Sequence, residues 1–262
     1  MQLSDITIYP IKSCAGFNVP ATQLDRFGPA GDRRWMVVAP DGSFLTQREL
    51  PGMALLEVRL VAGGICLSCQ DTQIVVHEPG PQSASRLVRV WGDSVPALDA
   101  GEYAAAWLSA VLGRPCRLVH MPHDSVRMVD GAFASEGETV GFADGFPLLL
   151  ISRSSLDELN SRLSSPVKMN RFRPNLVVAG CSAHAEDQWR RIRIGAVEFD
   201  VAKACSRCVM PSIIQESGQR DPDINRTLAG YRRFNGQILF GQNLLYQRCG
   251  TLSVGDEVEV LA

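Results

Sequence analysis

Short apolar alternations, each closed by a turn signal, constrain this chain more than any other feature. Leu3–Tyr9, Arg34–Ala39 (RWMVVA), Leu56–Leu60 (LEVRL), Ile65–Ser68 and Gln73–His77 all read as strands. Asp41-Gly42 returns the chain into Phe44–Gln47, a hairpin signal, and Gly63-Gly64 turns it again. Strands this short and this closely spaced predict a barrel or sandwich rather than βαβ units. One helical period interrupts them. Ala104, Trp107, Leu108, Val111 and Leu112 form an apolar stripe over Glu102–Leu112, and Gly113 stands at the C-cap. Arg117–Met121 follows as a strand.

Residues 122–145 have no clear period and are rich in Gly, Ser and acidic residues. A stretch of that length inside a compact protein is usually functional or mobile, and a lid or substrate-shaping role is expected here. The second half opens with a buried strand, Phe146–Ser152. Ser155-x-x-Glu158 then reads as a capping box for a helix carrying Leu156, Leu159 and Leu163. Leu176–Ala179, Trp189–Ile194 and Val197–Val201 read as strands, and Ile224–Arg233 as a short helix. Leu244–Arg248 and Glu257–Leu261 close the chain. The expected fold is mostly β with small helices (α+β), built as two β-barrel-like domains over residues 1–121 and 122–262.

Charge and composition narrow the function classes. The net charge of −2 gives no global pull toward nucleic acid or membrane surfaces. No apolar run reaches membrane-span length, and the first ten residues lack the regions of a signal peptide. A cytoplasmic protein is expected. Eight cysteines in 262 residues then point to free, buried or metal-binding thiols rather than a disulfide framework. Aromatic residues are sparse, which argues against a surface that stacks nucleic acid bases.

The chemistry-bearing stretch is AKACSRCVMP, residues 202–211, with Cys205 and Cys208 at C-x-x-C spacing. A thiolate is a nucleophile and a soft-metal ligand, and Lys203 and Arg207 supply nearby positive charge. Tetrahedral zinc needs two further ligands. Cys66 and Cys69 lie far upstream, and none of the four histidines stands at ligand spacing. A thioredoxin-like pair needs a βαβ setting that Val209-Met210-Pro211 does not provide. Zinc, redox and inert buried cysteines all remain open on spacing alone.

Three basic clusters stand at strand or loop ends, where binding residues concentrate. They are Lys12-Ser13, Arg33-Arg34, and Arg171 with Arg173. Singly, each reads as a solvated charge; together they suit a phosphorylated cofactor. Asp144, Asn175 and Asn243 are loop-end polar residues able to hydrogen-bond a heterocycle, although such residues more often serve turns. No G-x-S-x-G, Walker loop or G-x-G-x-x-G occurs.

YPIKSC (9–14), DRRWMVV (32–38), TQRE (46–49), FADGFPLLLIS (142–152), FRPN (172–175), ACSRC (204–208) and FGQN (240–243) occur in the order found in MOSC-domain proteins. The chain resembles that family over nearly its whole length, and most of all its amidoxime-reducing group. The resemblance implies an N-terminal MOSC β-barrel domain followed by the MOSC domain. It implies a molybdenum cofactor (Mo-molybdopterin) with a terminal phosphate, and Cys208 as the protein ligand to molybdenum. Lys12, Ser13, Arg33 and Arg173 fall on positions that hold the pterin and phosphate. Ser206 and Arg207 flank the ligand. Gly145 and Phe146 fall on cofactor positions as backbone contacts, and Asn243 on another contact position. Cys205 matches a cysteine of the motif without being a ligand.

The implied reaction takes two electrons and two protons and converts R–NHOH to R–NH2 and water. The substrates implied are small N-hydroxylated molecules or bases. The alternative is a carrier of the cofactor, or of sulfur as a Cys208 persulfide, without redox turnover. Many bacterial relatives add a [2Fe–2S] domain with a C-x4-C-x2-C run; here only Cys249 lies near the tail. The expected electron source is therefore a separate flavin reductase, ferredoxin or cytochrome. No targeting or membrane segment of the mitochondrial kind is read at the N-terminus, and no membrane partner is expected.

Overall fold

The computed structural model describes residues 1–134 and 137–262. The first half contributes β1 (Gln2–Ile8), β2 (Phe17–Val19), β3 (Ala21–Asp25), β4 (Gly28–Pro29) and β5 (Trp35–Val38). Next come β6 (Glu57–Val61), β7 (Gly64–Cys69) and β8 (Thr72–His77), an antiparallel meander. The hairpin β9 (Ser85–Val90) and β10 (Asp93–Asp99), helix α1 (Glu102–Leu112) and β11 (Arg117–His120) complete it. One sheet runs β5-β11-β10-β9.

The second half adds β12 (Leu148–Ser152), α2 (Arg153–Asn160), β13 (Leu176–Ala179), β14 (Arg191–Ile194) and β15 (Val197–Ser206). It ends with α3 (Asp223–Tyr231), β16 (Arg233–Phe234), β17 (Gln237–Leu245), β18 (Thr251–Ser253) and β19 (Val258–Val260). The large sheet runs β19-β14-β15-β17-β12-β13-β1-β2. The first strand therefore lies in the sheet of the second half, with Ile6 opposite Leu176. The fold is mostly β with short helices, as the strand spacing predicts.

Alternation decides the packing. Leu3, Ile6 and Ile8 of β1 enter a core with Leu148, Leu176, Phe199 and Leu244. Ile11, Trp35, Leu45 and Met53 pack beneath α1, which offers Ala104 and Leu108. The α1 bounds match the sequence period, and Gly113 takes the left-handed C-cap conformation (φ 63°). Among the described residues no helix is long and apolar enough to cross a membrane.

Four local expectations need correction. The N-cap of α2 is Ser152, not Ser155: its Oγ accepts from the Ser155 N–H. Ser155 is buried in the first turn, and its hydroxyl donates to Glu186 Oε1 at 2.7 Å. That carboxylate also takes the Ser152 N–H at 3.0 Å, so a residue far along the chain does the work a capping-box glutamate would do. Glu158 instead pairs with Arg162 one turn on. β17 starts at Gln237 and ends at Leu245, so FGQN lies inside a strand that the sequence reading placed later. β15 runs on through Ser206. Phe44 returns beside Val38 only as an isolated bridge.

In the 122–145 stretch, Ser135 and Glu136 lie outside the described residues. The rest holds only a bridge, Met128 to Thr139. Buried Arg127 ties it down: its guanidinium donates to the carbonyls of Gly141 at 2.8 Å, Ala143 at 2.6 Å and Asp144 at 3.1 Å.

His120 makes the first half sensitive to acid. Its ring packs 4.5 Å from Trp35. Burial, and then the Arg34 charge, push its pKa down from 6.5 to about 4. A depressed histidine contributes stability that is present above its unfolded pKa and is lost as pH falls toward the folded one. Between pH 7 and 4.5 this protein should lose about 2–3 kcal/mol through this residue. Urea midpoints at the two pH values check it: His120→Asn should show a smaller fall than wild type.

Candidate active site

The ends of several elements converge on a cavity of about 140 Å³ between the two halves. Lys12 and Ser13 arrive from the turn after β1, and Arg33 from the turn before β5. Asp144, Gly145 and Phe146 lead into β12. Arg173 and Asn175 precede β13. Ser206 ends β15, Arg207 and Cys208 follow it, and Asn243 lies on β17. All twelve residues singled out in the sequence line this one cavity. Leu149, Arg171, Phe172, Cys205, Met210 and Pro211 also line it. Cys66 and Cys69 belong to β7 and lie elsewhere. Among the described residues, no three His, Cys, Asp or Glu side chains gather into a metal-holding group.

Three lining residues have backbones that side chains rarely adopt: Ser13 (φ 67°), Arg33 (φ 44°) and Arg173 (φ 57°). Each such residue costs about 1–3 kcal/mol and persists only where its surroundings enforce it. The enforcement is visible. The Arg33 N–H donates to the Tyr9 carbonyl at 2.8 Å. Its Nη1 donates to Asp32 Oδ2 at 2.6 Å and to Asn175 Oδ1 at 2.8 Å. Its Nη2 reaches the Arg173 carbonyl at 3.3 Å. Both guanidinium groups lie over the Tyr9 ring, at 4.5 Å for Arg33 and 4.3 Å for Arg173.

Asn175 is consumed within this frame. It donates to the Thr7 carbonyl and to Asp32, both at 3.1 Å. Its oxygen accepts from Arg33 and from the Leu149 N–H at 3.3 Å. An amide has four such bonds to give, so Asn175 orients Arg33 and offers no free edge to the cavity.

The cavity is electropositive. Lys12, Arg33, Arg171, Arg173 and Arg207 line it, against Asp144. Burial pulls the Lys12 pKa down, partly offset by Asp144, which accepts from its Nζ at 2.5 Å. Burial, and Arg33 beside it, disfavour charge on Arg173. Neighbouring protein atoms oppose ionisation of the Asp144 carboxylate although its side chain stays largely exposed, but Lys12 outweighs this and holds it well below the usual range.

Arg207 donates to the carbonyls of Phe240 at 2.8 Å and Phe172 at 3.0 Å. Its Nη2 is buried without a partner, and so is Arg173 Nη1. Unsatisfied buried guanidinium nitrogens are costly unless an anion meets them. The donor set therefore fits an anionic, phosphate-bearing group.

Cys208 stands exposed at the rim. Arg48 Nη1 lies 3.9 Å from its Sγ, and the Met210 N–H 3.5 Å. The Asn225 amide fixes its carbonyl at 3.0 Å. Cys205 is half-buried, and burial pushes its thiol pKa up.

Arg48, Trp91, Tyr9 and Asp32 were not singled out in the sequence. Arg48 sits in TQRE, where an isolated charge carries no signal of its partner. Gln47, fully buried, locks this segment by a reciprocal pair with Gln215, at 3.1 and 3.0 Å.

Fold and site together define a MOSC-domain protein. The chain matches the MOSC N-terminal beta barrel domain over residues 1–115 and the MOSC domain over residues 137–259. It belongs to this family, and it is homologous to the mitochondrial amidoxime-reducing components over nearly its whole length. Mitochondrial amidoxime-reducing component 1 of Mus musculus is 34% identical over 279 residues, covering 99% of this chain and 82% of that protein. The Homo sapiens counterpart is 32% identical over 284 residues, covering 99% and 82%. Molybdenum cofactor sulfurase of Oryza sativa subsp. japonica is 34% identical over 269 residues, covering 94% of this chain and 33% of the sulfurase.

Proposed function

We propose that this protein holds a molybdenum cofactor in the cavity, with Cys208 as the metal's protein ligand. We propose further that it reduces N-hydroxylated compounds: hydroxylamines, amidoximes and N-hydroxylated nucleobases. Electrons come from a separate redox protein, such as a flavin reductase, ferredoxin or cytochrome. One observation carries the reading. Two buried, unpartnered guanidinium nitrogens line the cavity that has the exposed Cys208 thiol at its rim. The homology to amidoxime-reducing components supports the reductase class.

When bound, the cofactor supplies the two-electron exchange that this chain's side chains cannot perform. The protein does the rest. Arg33 and Arg173 meet the terminal phosphate, held by Asp32, Asn175 and Tyr9. Lys12, Ser13 and Arg207 hold the pterin, with Ser206, Asn243 and the Gly145–Phe146 backbone closing around it. The net reaction consumes two protons as R–NHOH becomes R–NH2 and water.

The similarity to a cofactor sulfurase favours one rival reading, a cofactor or persulfide carrier. Metal and sulfur analysis of the purified protein separates them. About one molybdenum per chain, with benzamidoxime reduced by a chemical reductant, is the expected result. Protein lacking molybdenum but carrying cyanide-labile sulfur on Cys208 would establish the carrier instead.

A further inference from the structure

Trp91 occupies a place in the fold where a tryptophan is out of character. It is the first of two turn residues in the β9–β10 hairpin, which pairs Val90 with Asp93. Its φ is 58°, in the region where such turns favour glycine or asparagine. The next residue, Gly92, is the one that would take that conformation freely. A bulky residue is held there at a cost, and its indole stays half exposed at 50%.

What the strained turn achieves is placement. The Trp91 Nε1–H donates to Asp144 Oδ1 at 3.2 Å. The Arg48 guanidinium lies 4.6 Å over its ring, and the Phe44 ring meets it edge-on at 5.1 Å. Through Arg48 the pair reaches Cys208 Sγ at 3.9 Å. The first half of the chain thus lays a stacked indole and guanidinium beside the sulfur delivered by the second.

Asp144 completes the arrangement. Both its bonds, from Lys12 and Trp91, go to Oδ1. Among the described residues Oδ2 accepts nothing, and the side chain is 74% exposed. A free carboxylate oxygen in the cavity lining therefore stands beside a stacked indole–guanidinium pair that touches the lining at Asp144 and Cys208.

We infer that Trp91, Arg48 and Asp144 form the platform that selects planar, amidine-like substrates at this site. The substrate's π-system stacks on the indole–guanidinium pair, and its N–H groups donate to Asp144 Oδ2. This rests on the reductase reading for its catalytic consequence, but not for the binding itself. Planar aryl amidoximes and N-hydroxylated bases fit all three contacts. A small aliphatic hydroxylamine has no ring to stack and gains nothing from the pair.

The test pairs binding with kinetics. Benzamidine is titrated calorimetrically into the purified chain, and benzamidoxime and N-methylhydroxylamine are compared as substrates. Trp91→Gly relieves the turn and removes the platform, so the fold survives. It should raise the benzamidine Kd and the benzamidoxime KM about tenfold, leaving kcat and the N-methylhydroxylamine KM within about twofold. Trp91→Phe should recover most of that loss. Benzamidine affinity indifferent to both substitutions, or equal KM shifts for the two substrates, would overturn the platform. Wild-type protein that binds benzamidine in this Trp91-dependent way without reducing benzamidoxime would sink the reductase reading and leave the platform standing.

Discussion

Cys208→Ala should leave a folded protein that has lost its molybdenum and, with it, benzamidoxime reduction by about 10²-fold or more. The fold survives because the Cys208 side chain is exposed and packs in no core cluster. The loss is large because no other thiol stands ready to replace it. Cys205, three residues back, is half-buried and held protonated by burial. The control is Cys205→Ala, which should retain activity within a few-fold, since that thiol lines the cavity without facing Arg48. Molybdenum content and turnover are measured on both variants. Equal turnover by wild type and Cys208→Ala would remove the sulfur from the mechanism altogether.

The largest effect on stability should come from Asp32→Ala. Asp32 is 2% exposed and pairs with Arg33, one of the two cavity-lining arginines stacked on Tyr9. It accepts from the Tyr9 N–H at 2.8 Å, from Asn175 at 3.1 Å and from Arg33 at 2.6 Å. Burial pushes its pKa up, and the Arg33 charge pulls it back only in part. Deleting it leaves the Tyr9 N–H without its acceptor and the partly buried Arg33 guanidinium without its counter-charge, at about 3–5 kcal/mol. Asp32→Asn keeps an acceptor for the Tyr9 N–H and should cost about half as much. Urea unfolding of the three proteins measures this. The same substitutions should strip cofactor, since Arg33 loses the partner that aims it. A loss below about 1 kcal/mol for Asp32→Ala would mean the arginines are held by Tyr9 and Asn175 alone.

The twelve expected site residues share one cavity. Lys12, Ser13, Arg33, Asp144, Arg173, Asn175, Ser206, Arg207 and Cys208 are legible as charges, a thiol or turn-forming side chains near strand ends, whereas Gly145 and Phe146 are read only through the family resemblance and Asn243 lies inside β17. The β9–β10 hairpin was not legible. Arg86 interrupts the buried face of Val88 and Val90, Leu87 is 68% exposed beside Arg89 on the other face, and Pro96 argues against a strand. Only pairing in space shows it, and with it Trp91. The α2 cap was misplaced because a serine-rich run offers several candidates, and Glu186 decides between them from outside the helix. Asn175 looked like a ligand contact and is a scaffold residue, a distinction set by its four partners. Arg48 needed the neighbouring half of the chain to acquire a role.

The position of β1 in the large sheet has a kinetic consequence. Gln2–Ile8 leaves the ribosome well before its partner Leu176–Ala179. At ~5–20 residues per second, the first strand waits on the order of ten seconds with an apolar face and one edge open, β2 covering the other. Long-range pairing of this kind slows folding and exposes unpaired strands to one another. Nascent chains stalled before Ala179 should therefore need a chaperone on the strand that carries Leu3, Ile6 and Ile8. A substitution on that strand would act on how the protein matures before it acted on what the finished protein does.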